Sequence, residues 1–137
     1  MNDDFAASAV RHFRDGDLLQ KDRRSENADQ LYGLAAECAI KTALSELAGC
    51  LVAGALAPIY RKHVDEIWSL VPLQNLTRRH RGLVVVLKGL RNPFNGWSID
   101  QRYGPDGAVG DDVLENHRRA ASRVLGSIGL VGSRRGA

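Results

Sequence analysis

Residues 25–47, SENADQLYGLAAECAIKTALSEL, decide the fold. They contain no proline and a single glycine, Gly33, and alanine and leucine, the strongest helix formers, dominate them. Ser25 or Asn27 is placed to cap the start, with Gln30 where a capping-box partner of Asn27 reaches back. On a helical period Ala28, Leu31, Ala35, Ala39 and Ala43 run along one side, and Leu34, Cys38 and Ile40 widen it. The polar remainder narrows to a line of Gln30, Glu37 and Lys41. A helix this apolar is packed on more than one side and is therefore central, with Leu31 and Leu34 expected in the core.

Upstream, Phe5, Ala6, Ala9, Val10 and Phe13 repeat at helical spacing, which predicts a first helix from about Asp3 to the region of Gly16, extending to Lys21 through Leu18 and Leu19. Downstream, Gly49 and Gly54 leave GCLVAGALAP (49–58) open between a frayed helix end and a packed loop. Pro58 suits the first turn of another helix, whose stripe is Tyr60, Val64, Ile67, Trp68 and Val71, and Pro72 ends it. Leu73, Leu76, His80, Leu83, Leu87 and Leu90 predict a fourth helix, terminated by Asn92-Pro93. Residues 94–110 are rich in turn formers but carry Trp97, Ile99 and Tyr103, and the aromatics of this loop are expected to dock on the helices. Asp111 or Asp112 caps a fifth helix with the stripe Val113, Leu114, His117, Ala121, Val124, Leu125 and Ile128. No strand pair, repeat or linker is predicted. The expected fold is all-α, an up-and-down bundle of four to five helices forming one domain over residues 1–128, with 129–137 a flexible tail.

With 19 Lys+Arg against 16 Asp+Glu, the net charge of +3 is too small to name a nucleic-acid partner by itself. Its distribution is more informative. Residues 1–30 are net acidic, whereas residues 76–103 carry Arg78, Arg79, Arg81, Lys88, Arg91 and Arg102 against Asp100 alone. A polyanion is drawn to the second region, unless it is simply an arginine-rich solvated face. Cys38 and Cys50 give no zinc spacing and no disulfide framework, and read as buried free thiols of a reducing compartment. The acidic start MNDDFAASAV has no signal-peptide hydrophobic region, and the apolar run 47–60 is broken by Gly49, Gly54 and Pro58. A cytoplasmic protein with no membrane span is expected.

Two histidines, His80 and His117, stand where their stripes ask for apolar side chains. Such a histidine is more often a satisfied core residue than an acid or base in a cleft. His12 and His63 lie beside their stripes and read as surface residues. Glu37 and Lys41 read as an ordinary i, i+4 ion pair. No metal-ligand cluster and no P-loop, dinucleotide or nucleophile-elbow fingerprint is present, so neither metal nor cofactor is expected. Arg102 and Tyr103, followed by His117 and Arg118 across the GPDGAVGDD loop, contain what holding a phosphate and moving a proton at a ribose hydroxyl require. Arg78, Arg79, His80 and Arg81 are the candidate nucleic-acid contacts.

The run NADQLYGLAAECAIK (27–41), preceded by RHFRDGDLLQKDRR and followed by KHVDEIW, resembles small bacterial members of the HEPN superfamily, as do NPFNGWSIDQRY and NHRRAASRVL. The resemblance spans nearly the whole chain. It implies a helical bundle that often dimerises, in a family where many members are metal-independent ribonucleases of toxin–antitoxin, phage-defence or CRISPR systems and others bind nucleotides or are non-catalytic partners of nucleotidyltransferases. The family's catalytic pattern is an arginine, four to six residues, then a histidine near the start of a late helix. No arginine stands at that distance before His80 or His117, and Asn75 occupies the place ahead of His80. The resemblance therefore implies first a module that binds RNA, a nucleotide or a cognate protein. The alternatives are a divergent ribonuclease using His117 and Arg102, with Tyr103 and Arg118 beside them, and a structural subunit of a larger assembly. A homodimer is expected both from the resemblance and from the apolar surplus of AGCLVAGALAP and the central helix.

Overall fold

The computed structural model describes residues 3–130, and most of them are helical. α1 (Phe5–Lys21) begins at Asp4, whose carboxylate accepts from the Ala7 amide at 3.0 Å. A tight turn, with Arg23 in the left-handed region at φ 61°, reverses the chain into α2 (Ser25–Leu44). The two helices are antiparallel neighbours. Lys41 lies over the Phe5 ring at one end, and Tyr32 meets Phe13 and Asp17 toward the other.

α2 is the centre of the molecule. Fourteen of its twenty residues are buried, charged ones included, so it is enclosed on nearly all sides. Two expectations about it are corrected. Its start is not capped by Ser25 or Asn27: Arg24 holds the cap position without a side-chain bond, and Gln30 donates to the Ser98 carbonyl instead of reaching back. Leu31 and Leu34 are only half-buried, whereas Tyr32, Ile40 and Leu44 are completely enclosed. The small residues Ala28, Ala35, Ala36, Ala39 and Ala43 let neighbouring elements approach the α2 backbone closely, and Gly33 does so most. A Cβ there would overlap the Trp97 indole.

The middle of the chain departs furthest from its sequence pattern. Residues 49–58 fold neither as helix end nor as plain loop. A 3₁₀ turn at Ala48–Cys50 leads into a minimal antiparallel hairpin, β1 (Leu51–Val52) and β2 (Ala55–Leu56), so the expected absence of strand pairing does not hold. Ala53 and Gly54 supply the two positive φ values its turn requires. Pro58 opens a 3₁₀ turn, not a helix. The Tyr60–Val71 stripe forms a single helical turn, α3 (Val64–Ile67), and the Leu73–Leu90 stripe is cut into α4 (Leu73–Leu76) and α5 (Arg81–Gly89). The cut falls at His80, whose Nε2 lies 3.0 Å from Glu46 Oε1 at the end of α2 and whose backbone leaves the helical region.

Phe94 and Trp97 from the following loop are buried as expected, but Tyr103 is 77% exposed at the end of a 3₁₀ turn, Ile99–Tyr103. α6 (Asp111–Ser127) starts from Gly110, with Asp111 and Asp112 in its first turn complementing the dipole and not capping it. α6 lies against α1 and α2 and closes the core with Leu114, Ala121, Val124 and Leu125. Of the expected tail, Leu130 packs on the core, and 131–137 lie outside the described residues. Cys38 and Cys50 are buried and free. No described helix is long and apolar enough to cross a membrane.

Candidate functional site

Asp29, on the second turn of α2, is almost fully enclosed, and three parts of the chain converge on it. His117 Nδ1 lies 2.6 Å from Oδ1, Gln101 Nε2 donates to Oδ2 at 2.6 Å, and the Trp97 indole N–H donates to the Asp29 carbonyl at 3.1 Å. The second ring nitrogen of His117 lies 2.9 Å from the Pro93 carbonyl, which can only accept, so Nε2 carries a proton. The other nitrogen shares its proton with Asp29. Phe94 stacks on the ring at 4.8 Å. His117 thus has no open lone pair to receive a proton from a substrate. Its position on the apolar stripe is that of a satisfied core histidine.

The residues expected beside it are placed elsewhere. Arg118 turns to α1, where its Nε donates to Asp17 Oδ1 at 2.9 Å and its guanidinium covers the Phe13 ring. Burial works against its charge, but Asp17 outweighs that and raises its pKa. Tyr32, whose hydroxyl lies 2.7 Å from both Asp17 and Gln20, is held protonated by burial and by the same carboxylate. Arg102 lies over the exposed Tyr103 ring at 4.8 Å. Among the described residues no hydrogen bond or ring contact joins Arg102 or Tyr103 to His117.

The basic region forms a face. On α5, Arg81, Val85 and Lys88 point outward at i, i+4 and i+7, with Val85 62% exposed between the two cations. Arg78 precedes this line and Arg91 follows it, both exposed. Among the described residues none of these four cations has a carboxylate partner, whereas Arg79 and His80 both engage Glu46, at 2.8 and 3.0 Å. The four candidate contacts are therefore two open arginines, Arg78 and Arg81, and two side chains tied to α2.

A third cluster was not read from the sequence. Glu37 is buried on α2 two turns beyond Asp29, and both its oxygens are engaged: Oε2 with Lys41 Nζ at 2.9 Å and Oε1 with His63 Nδ1 at 3.0 Å. Lys41 is buried with it, so this is no ordinary surface pair. His63 is not free on the surface either, although its side chain remains 47% exposed, and the edge of the Trp97 ring lies against it at 6.4 Å. On the α1 side, the half-buried His12 feels Glu37 electrostatically, yet burial and then Arg11 lower its pKa. Next along α2, burial and Glu37 push the Cys38 thiol up to about 12. One signal could have exposed the cluster: a helix apolar all round has no solvated side on which Glu37 and Lys41 could lie, so both must be buried and partnered.

No protein family, curated protein or solved structure matches this chain. The chemistry available is therefore read from the geometry alone: a closed histidine–carboxylate pair at Asp29, an open pair at Glu37, the His80–Glu46 pair, and a basic face whose other cations lack carboxylate partners among the described residues. Among the described residues no group of three or more His, Cys, Asp or Glu side chains is disposed to hold a metal ion.

Proposed function

We propose that this protein is a HEPN-like helical module that binds RNA along the outer side of α5. The observation that carries the reading is the line Arg78, Arg81, Lys88 and Arg91, exposed and without acidic partners among the described residues, around the exposed Val85. Cations without internal partners are free to replace the counterions of a phosphate backbone, and a small apolar side chain between them can lie against a sugar or base. The first thirty residues are net acidic, which disfavours a polyanion there. The engaged nitrogens of His117 speak for binding over cleavage by that residue.

Fluorescence anisotropy with a random-sequence single-stranded RNA tests this. Affinity should fall steeply with salt, and the double change Arg81→Glu with Lys88→Glu should abolish binding and flatten the slope. Charge reversal that leaves both affinity and slope intact refutes the α5 face. As for a second copy of the chain, α2 is covered by its own neighbours, so the apolar surplus that remains is the hairpin region with Val52 and Ile59 exposed.

A further inference from the structure

Glu46, just past the end of α2, holds two consecutive side chains of the basic region through a single oxygen. Arg79 Nε lies 2.8 Å from Oε1, and His80 Nε2 lies 3.0 Å from the same atom. The two ties are unequal. The His80 side chain is only 12% exposed and fixes the start of α5 against α2, so the carboxylate is held where it stands. The Arg79 side chain is 64% exposed, and an exposed ion pair is weak and open to competition from other anions. Arg79 is thus the exchangeable partner of an anchored carboxylate.

Its place in the chain gives that exchange a consequence. Arg79 stands between Arg78 and Arg81, the two open arginines at the start of the α5 face. A guanidinium takes a phosphate in the same forked geometry as a carboxylate, so Glu46 occupies Arg79 as a nucleic-acid backbone would. The surroundings of Glu46 favour keeping the arginine. Asp3 and Asp4 line the same cleft as Glu46, between the start of α1 and the hairpin. Among the described residues lining that cleft Arg61 is the one cation, and its Nε donates to the Leu56 carbonyl at 3.0 Å. A local excess of carboxylates therefore holds Arg79 back from the face it borders.

We propose that Glu46 is an intramolecular competitor for the RNA backbone: it withholds Arg79 and keeps the affinity of the α5 face below what its cations allow. The proposal rests on the binding reading above and concerns the regulation of that site. Arg78, Arg81, Lys88 and Arg91 contact the strand, and Arg79 is a fifth cation held in reserve. Loss of the Glu46 charge releases it and adds one phosphate contact.

The test is a double-mutant cycle on the full chain with random-sequence single-stranded RNA, read by anisotropy at about 150 mM salt, where distant charges are screened. Glu46→Gln keeps the shape of the side chain and should tighten binding about threefold to fivefold, with a salt slope steeper by about 0.7. Arg79→Ala should be nearly silent in the wild-type background and should cost that whole gain in Glu46→Gln. Equal costs of Arg79→Ala in both backgrounds overturn the proposal, because Arg79 is then an ordinary contact or acts only at a distance. A larger cost in the wild-type background also overturns it, since Glu46 would then be aiming Arg79 at the strand. The Arg79 Nε–H resonance, followed by NMR as RNA is added to the wild-type chain, decides without a change at position 46. It stays in place if Glu46 keeps Arg79, and a shift onto phosphate overturns the proposal. An additive cycle in a chain that binds RNA through Arg81 and Lys88 removes this inference alone. A wild-type chain that binds no RNA removes the α5 reading and this inference with it.

Discussion

α2 carries two histidine–carboxylate pairs, two turns apart, and they differ in what the second ring nitrogen meets. At Asp29–His117 that nitrogen is closed by the Pro93 carbonyl, the ring is stacked by Phe94, and the pair is sealed. At Glu37–His63 the carboxylate is also buried, but the imidazole stands half in water, with no partner on Nε2 among the described residues. The same two functional groups thus make a bolt in one place and leave an imidazole open to water in the other. The difference lies in the chain that covers them: residues 93–101 fold over the first pair, and only the Trp97 edge reaches the second.

The closed pair should give the largest effect when broken. Asp29→Ala leaves a buried imidazole without its counter-charge and frees Gln101, and should cost about 3–5 kcal/mol in urea denaturation, with His117→Ala on the same scale. A loss near zero would show that the pair does not pin the 93–101 segment to α2. A second comparison concerns the two sides of α2. Leu44→Ala, at a fully enclosed position, should cost about 2–5 kcal/mol, and Leu31→Ala less than half as much because Leu31 is half-exposed. Equal costs would mean that the outward side is covered, most simply by a second copy of the chain, and light scattering would then report more than the 15.0 kDa monomer.

These two sides also show what the sequence could tell. α1, α2 and α6 are long, and their approximate extents are legible from the apolar period, although the expected caps of α2 and α6 are not the ones used. Residues 58–90 keep helical spacing yet break into short pieces, because Pro72 and the tie between His80 and Glu46 override a local pattern from outside it. At the sites, His117 is legible as an inward histidine, but its partner Asp29 is 88 residues away, and nothing local announces that distance. Arg118 fails as a neighbour of His117 for a local reason: consecutive residues on a helix point about 100° apart, and Asp17 of α1 takes it. The spacing of Glu37 and Lys41 is visible in the sequence, but its burial follows only once α2 is recognised as enclosed all round.

The open pair should tolerate loss of its imidazole. In His63→Ala, Lys41 still holds Glu37 and water can enter from the exposed side, so the expected cost is about 1 kcal/mol, the scale of one hydrogen bond. A cost matching that of His117→Ala would make His63 another bolt and abolish the contrast.

The smallest effect concerns His12, a further titratable group near the open pair. Its pKa in the folded chain is lowered, first by burial and then by Arg11, while Asp15 and Glu37 work the other way. The sign follows from where the proton goes. Above the ordinary histidine value both folded and unfolded chains hold His12 neutral, and the group contributes nothing to pH dependence. As pH falls through that value the unfolded chain takes up a proton that the folded chain refuses, so stability declines until the lower folded pKa is passed. Denaturation midpoints compared near pH 7.5 and pH 5.5 should therefore drop on acidification, and His12→Gln should remove part of the drop without abolishing it. If His12→Gln steepens the drop instead, Glu37 outweighs burial and His12 is held charged in the folded protein. The open pair would then carry a second cation facing its carboxylate, competing with His63 for Glu37.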